Sequence, residues 1–583
     1  MNAQTDRAVL RDAPLIRRAG RLRARPRPWQ LCVLWLALMT PLATWGLPSR
    51  QYDDLLFGTD VWAPEQFQAG EALAALRGRT TGADTDLNPL DAAPRLIDLT
   101  ATPAGRAEIL TRYRLYSRQP DEMITFRALA RMNPRELNLD PQLYQYGGLY
   151  VYLAGGAVAF AALCGFTQLT SDLNVYLASP ELFGRFYVVT RGISLLAGAL
   201  ALAAVFRLAA RAGGRRSGWL AMLLVALSPV FITFALEAKP HLPATCALLW
   251  AALAGLEFDR RARRGDGLRL GVFSGVSAAL VLTGFVAALV WIPLLLKDAR
   301  SRAARLVWVA WLAVAIYIVT NPYIVYNALF RRDALSSNLA NSTDMYRVGR
   351  FAEGFVVVAR LLNESVGLGT LVMGLIAAAW LLRRAPRPTL IAAAAGVGML
   401  AICVALGAGK PAEFARFLLL PALLLCVSAA IGVVHAARRS VMAGVAMLIG
   451  IGATLGARPY LASFVHDTRG DAEARIAAGR YLREHAGVDE VIGVTQVPAP
   501  YSVPPLDFAH RRVVLLPNAA PDALSATALP RWVVITADDE SRFAGQWWGS
   551  FYRLDRRFPP PPGGLTPISW ANKATFVLMR REN

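Results

Sequence analysis

Apolar runs long enough to cross a bilayer alternate with short, arginine-rich polar segments along most of the chain. A membrane-spanning helix needs about twenty predominantly apolar residues. Runs near 30–47, 186–206, 219–236, 241–257, 270–283, 285–296, 306–325, 367–382, 389–407, 415–434 and 441–457 predict eleven crossings. The two around Thr283 and Gly284 are short and read as a tight pair. The segment "YGGLYVYLAGGAVAFAALCGF" (146–166) is long enough to cross, but a lone crossing there inverts every later loop. Either it lies in the outer leaflet, or it pairs with 169–184 to give thirteen crossings. The stretch "TQLTSDLNVYLASPELFG" is too polar to span, which favours the interfacial position. After residue 457 the pattern changes. A polar, helix-like opening leads to strand-like runs, "VDEVIGVTQV", "RRVVLLP", "RWVVITA" and "KATFVLMR", separated by proline and aspartate. The fold class is therefore a polytopic α-helical membrane protein with a C-terminal extracytoplasmic α/β or α+β domain over 458–583.

Charge orients this scheme. Lys and Arg outnumber Asp and Glu by 62 to 41 in 583 residues, giving a net charge of +21. A basic total can signal nucleic acid, but no nucleic-acid-binding motif accompanies it. The basic residues sit in short loops between apolar runs, as positive-inside selection produces. The loops 207–218, 259–269, 297–305, 383–389 and 435–440 are expected in the cytoplasm, together with the basic N-terminal segment 1–28. That segment carries eight arginines and no small-residue cleavage site, so the first span reads as a retained signal anchor. Residues 29–457 then form the membrane domain, with a large outer loop, 49–145, and a second, 326–366. The five cysteines all fall in apolar runs without metal-ligand spacing, so no metal site is expected from them.

The outward segments hold the candidate chemistry. "YSRQPDEMITF" puts Asp121 and Glu122 in the first outer loop; Pro120 followed by two acids is also an ordinary helix start. "FALEAKPHLPAT" places Glu237, Lys239 and His241 at the mouth of two spans, where ionisable residues are functional candidates. "GAGKPAEFARFLLLP" puts Lys410 and Arg416 at the start of another, suited to a lipid phosphate or to headgroup anchoring. Tyr144 and Tyr146 belong to a tyrosine cluster that reads as an interfacial belt or as a sugar platform.

These segments together carry a family resemblance. A basic N-terminus and one span lead to a large loop holding "PDE", then "DPQLYQYGGLYVYL", then "RGISLLAGALALAAVFRLAAR" and a tight turn at "EAKPH". "TNPYIVYN" and "ARFLLLPALLL" follow. Over about its first 430 residues the chain resembles the polyprenyl-phosphate-sugar-dependent glycosyltransferases of the membrane C-type fold, in the dolichyl-phosphate-mannose protein mannosyltransferase and aminoarabinose transferase group. The acidic pair and the order of loops are the most specific parts. The resemblance implies an essential acidic pair, carried onto Asp121 and Glu122, with one carboxylate as catalytic base. It implies a second acid at Glu237 and a late-span motif at Arg416, Phe417 and Pro421, with Phe in place of Tyr. "YGGL" at 146–149 departs from the "YPPL" of many members, on the acceptor side of the cleft.

The chemistry agrees with the residues. Transfer from a lipid monophosphate needs cations for the departing phosphate and a base for the acceptor hydroxyl, facing water beside the bilayer. No Walker loop, GxGxxG or HExxH is present, so nucleotide donors and zinc hydrolysis have no support. The expected function is therefore an inverting transfer from a polyprenyl-phosphate sugar to a lipid, glycan or protein of the envelope. Its expected setting is the periplasmic face of a bacterial inner membrane. The partners are the donor and membrane lipids; no cofactor is assigned, and a divalent metal is compatible. Two other classes stand beside it: a transporter or lipid flippase, which needs polar residues deep in the spans, and a membrane-tethered envelope assembly protein acting through 458–583.

Overall fold

A computed structural model of the chain describes residues 27–58, 96–295, 299–333, 335–336, 350–406, 412–469, 473–518, 520, 529–538, 540–560 and 565–581. Among these, six helices are long and apolar enough to cross a membrane: Pro180–Gly213, His241–Arg261, Ala303–Thr320, Pro386–Leu406, Ala415–Arg439 and Val441–Arg469. Two bent pairs raise the number to eight: Arg215–Ala226 with Pro229–Ala235, bent by 65°, and Phe351–Val366 with Leu368–Arg384, bent by 108°. Pro28–Thr44, Gly148–Leu163 and Leu282–Leu295 are apolar but shorter.

Helix length alone therefore gives fewer crossings than the eleven expected. The first run gives only the short helix Pro28–Thr44, and the other losses have a local cause around Thr283. Val281 is extended (φ −157°, ψ 143°) and ends the helix Arg264–Leu280; a 3-10 helix, Leu282–Val290, follows it. The segment 146–166 contributes the 16-residue helix Gly148–Leu163. Leu153, Phe160 and Leu163 on it are exposed, giving it an apolar outer side.

In chain order, α1 (Pro28–Met39) is followed by α2 (Pro103–Leu115), α3 (Glu122–Arg131), α4 (Gly148–Leu163) and the long α5 (Pro180–Gly213). After α6 (Pro229–Ala235) and α7 (His241–Arg261) come α8 (Pro322–Phe330) and α9 (Phe351–Val366). The last helices to concern the site are α10 (Leu419–Arg439), α11 (Ala457–Arg469) and α12 (Ala474–His485). The main apolar core joins α1, α5, α6, α7 and α10 through Trp35, Trp45, Leu202, Phe231, Leu249 and Cys426. Close approach is also required at Gly147, whose N–H donates to the Leu280 carbonyl at 3.0 Å. A Cβ there would fall 1.7 Å from the Ala279 oxygen. Proline at 147 would lose this bond, which is why this chain reads "YGGL" at the start of α4.

Among the described residues, six strands form one mixed sheet in the order β1-β3-β2-β4-β6-β5. They are β1 (Ile97–Asp98), β2 (Ile492–Val494), β3 (Val513–Leu515), β4 (Trp532–Thr536), β5 (Tyr552–Phe558) and β6 (Thr575–Arg580). β2 runs parallel to β3 and β4, and β6 lies antiparallel between β4 and β5. Each strand-like run of the tail supplies a strand, but β1 comes from the segment 49–145, between the first apolar run and α4, and pairs with β3. One face of these short parallel strands needs cover, and the first loop provides it. Leu56, Phe57, Ile109, Leu110 and Tyr113 pack in one core with Leu482, Ile492, Val513, Trp532 and Val577. The sheet lobe is thus built from two segments far apart in sequence.

Candidate active site

The segment Ser117–Glu122 turns into α3, and its two acids go to different partners. Asp121 stands at the N-cap position, yet its side chain makes no capping hydrogen bond. It reaches out instead. Its Oδ2 lies 2.8 Å from Lys239 Nζ and 3.1 Å from Arg416 Nη1. Its backbone N–H donates to Gln119 Oε1 at 2.6 Å. Burial alone would push Asp121 up, but Lys239 and then Arg416 outweigh burial and hold its carboxyl well below the usual carboxylate range.

Glu122 is locked. Arg191 of α5 donates Nε to its Oε1 at 2.8 Å and Nη2 to its Oε2 at 2.7 Å. Ser117 Oγ donates to Oε2 at 2.5 Å, and the Ala238 N–H to Oε1 at 2.7 Å. Both oxygens are therefore taken, inside a site with no exposure. Arg191 also gives Nη1 to the carbonyls of Ala43 and Trp45, at 2.8 and 2.6 Å, and its guanidinium lies 4.7 Å from the Trp45 ring centroid. Trp45 in turn donates to the Leu236 carbonyl at 2.8 Å. One buried arginine thus ties together the end of α1, the acidic turn and the loop between α6 and α7.

That loop, "LEAKP", carries the remaining groups. Ser194 Oγ donates to the Glu237 carbonyl at 2.6 Å and fixes the turn against α5. Glu237 Oε2 lies 3.6 Å from Lys239 Nζ. Burial pushes the Glu237 carboxyl up to about 7, with Lys239 pulling it back and the nearby Glu122 and Asp121 adding to the rise. For Lys239, burial works against the charge, but Asp121 and Glu237 prevail and raise it. His241 begins α7 inside an aromatic surround, its ring 5.9 Å from Tyr146, 6.4 Å from Phe234 and 6.5 Å from Phe417. Asp121 is the open member: its side chain is 20% exposed, against 6% for Lys239 and Arg416.

Of the candidates read from sequence, Asp121, Glu122, Glu237, His241, Arg416 and Tyr146 come together here. Tyr144 does not. Its hydroxyl binds both oxygens of Asp140 at 3.0 Å and contacts Asn327 of α8, in a separate polar clasp. Lys410 lies outside the described residues. Lys239, named in the sequence beside Glu237 and His241 at the mouth of two spans, stands between Asp121 and Glu237. Arg191 was missed. Its signal was available, as an arginine within the apolar run "YVVTRGISLLAG", where a charge is expensive enough to mark a function. Among the described residues, no three His, Cys, Asp or Glu side chains are placed to hold a metal ion.

Residues 177–326 match the sequence family described as dolichyl-phosphate-mannose-protein mannosyltransferase. The resemblance read from the sequence stands. The matched stretch contains Arg191, Glu237, Lys239 and His241, and ends before Arg416. No curated protein sequence matches the chain. Among solved structures, ArnT from Cupriavidus metallidurans bound to undecaprenyl phosphate is similar at 12% identity and a TM-score of 0.43, over 80% of this chain and 93% of that one. The oligosaccharyltransferase AglB from Archaeoglobus fulgidus, in complex with an inhibitory peptide and a dolichol-phosphate, is similar at 13% identity and a TM-score of 0.39, over 82% and 70%. Likenesses this distant assign no role to any residue.

Proposed function

We propose that the chain transfers a sugar from a polyprenyl-phosphate donor to a hydroxyl group of an envelope acceptor, with inversion at the anomeric carbon. One observation carries the reading: two buried cations, Lys239 and Arg416, share a single oxygen of Asp121 at the mouth of apolar helices. Two cations converging on one oxygen make a cradle for a phosphate oxygen, and Asp121 Oδ2 occupies it as a carboxylate stand-in. A donor phosphate that takes both cations frees Asp121 and removes the charges that make it a weak base. The acceptor oxygen then attacks the anomeric carbon while the bond from that carbon to the phosphate oxygen breaks. The bonding electrons pass to polyprenyl phosphate, whose growing charge Lys239 and Arg416 meet. The hydroxyl proton goes to Asp121. Glu122, with every lone pair engaged, orients the turn and takes no proton. Glu237, His241 and Tyr146 border the cradle on the substrate side, and Lys410 belongs to the same phosphate-binding proposal.

The topology that serves this chemistry has eleven crossings in a bacterial inner membrane. The first loop, the second loop and the tail lie in the periplasm, and the five arginine loops lie in the cytoplasm, in keeping with the charge bias. Cysteine at the exposed Arg553 should react with an impermeant maleimide in intact spheroplasts, and cysteine at the exposed Arg216 should not; the reverse pattern refutes the orientation. For the reaction, purified protein in proteoliposomes is given radiolabelled polyprenyl-phosphate sugars and envelope extract. Lys239→Ala or Arg416→Ala should each lower transfer about thirtyfold, the equivalent of one lost charge-assisted contact of about 2 kcal/mol. Full transfer by both variants sinks the cradle.

A further inference from the structure

Three residues before Asp121, Arg118 is buried in a group of charged side chains that the transfer itself does not use. Its guanidinium pairs with Asp467 of α11, lies 4.0 Å from Glu473 and donates to the Tyr52 hydroxyl at 3.3 Å. Arg475 of α12 pairs with Glu473 and lies 3.6 Å from Asp467. Two guanidinium groups thus face two carboxylates, all of them buried. The backbone closes the group. The Asn572 N–H donates to Asp467 Oδ2 at 3.0 Å, and Arg475 donates to the carbonyls of Tyr501 and Trp570, each at 3.2 Å. The cluster is the junction of the first loop, α11, the start of α12 and the turn before β6.

A buried ion cluster is weak evidence for net stability, so what it holds in place is the more informative observation. Here the position fixed is that of the acidic turn. The Arg118 N–H donates to the Gly46 carbonyl at 2.8 Å. Gly46 is left-handed (φ +56°), and a Cβ on it would fall 2.8 Å from the Arg118 Cβ, so the contact leaves no slack. On the other side Glu122 is locked by Arg191. Only Gln119 and Pro120 separate Arg118 from Asp121, and Gln119 receives the Asp121 N–H. A displacement at Arg118 has no room to dissipate before Asp121.

We propose that Arg118, held by Asp467 and Glu473, is a positioning residue for Asp121, so that the C-terminal lobe is part of the transfer machinery. The catalytic half of this claim rests on Asp121 being the base. Asp467→Asn keeps the shape and removes the charge; Arg118→Lys keeps the charge and removes the fork. The first readout needs no reaction: hydrogen exchange of the full chain in lipid nanodiscs. The peptide covering 117–126 should exchange about tenfold faster in both variants, with the peptides of α7 unchanged. Should Asp467→Asn loosen the whole fold, Tyr52→Phe, which deletes a single hydrogen bond to Arg118, should still speed exchange at 117–126 alone. Exchange that rises everywhere or nowhere in all three variants overturns the positional link.

The second readout is transfer from polyprenyl-phosphate sugars. Asp467→Asn should lower kcat about tenfold, in keeping with a sub-ångström misplacement of the base, and leave the donor KM within about twofold. In the Asp121→Asn background it should lower the residual rate no further, because the group it positions is gone. A loss that multiplies in that background overturns the positioning role. A wild-type chain with no transfer from these donors refutes the glycosyltransferase reading instead, and the exchange data then decide the structural link on their own.

Discussion

Replacing Asp121 with Asn keeps the side chain's size and removes the one negative charge shared by Lys239 and Arg416. Two effects of opposite sign should follow. The contacts of 2.8 and 3.1 Å are charge-assisted, and in the proposed reaction the donor phosphate displaces both to enter the cradle. Such bonds are worth about 1.5–3 kcal/mol each when buried, less where water reaches the carboxylate, as it does here. Lys239 keeps Glu237 at 3.6 Å, so the cations are not left wholly unpaired. The phosphate should therefore bind Asp121→Asn about tenfold more tightly, a gain of about 1.4 kcal/mol. Turnover should fall by about two to four orders of magnitude, because an amide cannot accept the acceptor's proton.

The assay pairs undecaprenyl phosphate titration in nanodiscs with single-turnover transfer on the same preparations. A variant that binds the lipid phosphate more weakly than wild type, or that keeps more than about a tenth of its turnover, refutes the reasoning, since a base supplies about a hundredfold or more. The pH profile gives an independent check. Lys239 and Arg416 hold Asp121 well below the usual carboxylate range in the donor-free state. Once the phosphate draws the cations away, that pull is lost and the carboxyl titrates higher. The acidic limb of kcat should then lie at higher pH than the acidic limb of kcat/KM, which reports the free enzyme.

Two further outcomes follow from the neighbouring groups. Burial raises Glu237 to about 7, above its unfolded value of about 4.3, so the folded chain holds this proton more strongly. Its contribution to stability is full below about pH 4.3 and is lost as pH rises through about 7. Glu237→Gln should remove that part of the slope and narrow the fall in Tm between about pH 5 and 8; parallel Tm curves for the two proteins would show Glu237 titrates normally. Arg191→Met strands Glu122 in a site with no exposure and should destabilise by about 3–5 kcal/mol in denaturation of the detergent-solubilised protein. Adding Glu122→Gln should recover about half of that loss, because the stranded charge is then neutral. A double variant as unstable as the single one contradicts the pairing.

How far the site was legible follows from which distances a sequence contains. The apolar runs announce helices by length alone; Glu237, His241 and Arg416 stand at the ends of such runs, and the charge bias is the sequence's ground for expecting them on the same side as the loop that holds Asp121. What joins them does not lie along the chain. Arg118 and Asp467 are 349 residues apart, Arg416 and Asp121 are 295, and β1 pairs with a strand more than 400 residues downstream. No local propensity encodes such partnerships. They arise when the helices pack and bring buried charges into reach. Tyr144 and Tyr146 illustrate the converse: two positions apart, they serve different clusters, one bound to Asp140 and Asn327 and the other against His241.

The acidic pair makes the same point more sharply. Asp121 and Glu122 are chemically alike, adjacent, and indistinguishable by composition. Their side chains leave a helix start in different directions, so each meets a different set of partners. Glu122 meets a rigid arginine fork that came with α5, and Ser117 Oγ and the Ala238 N–H take its remaining lone pairs. Asp121 meets two cations at the ends of separate segments and stays partly open to water. A carboxylate saturated in this way is fixed as a brace. On the proposed mechanism, a pair of cations that the donor phosphate can claim leaves its carboxylate free to act once that phosphate arrives. In the proposed reaction, the division of labour between the two acids is set by Arg191, Lys239 and Arg416.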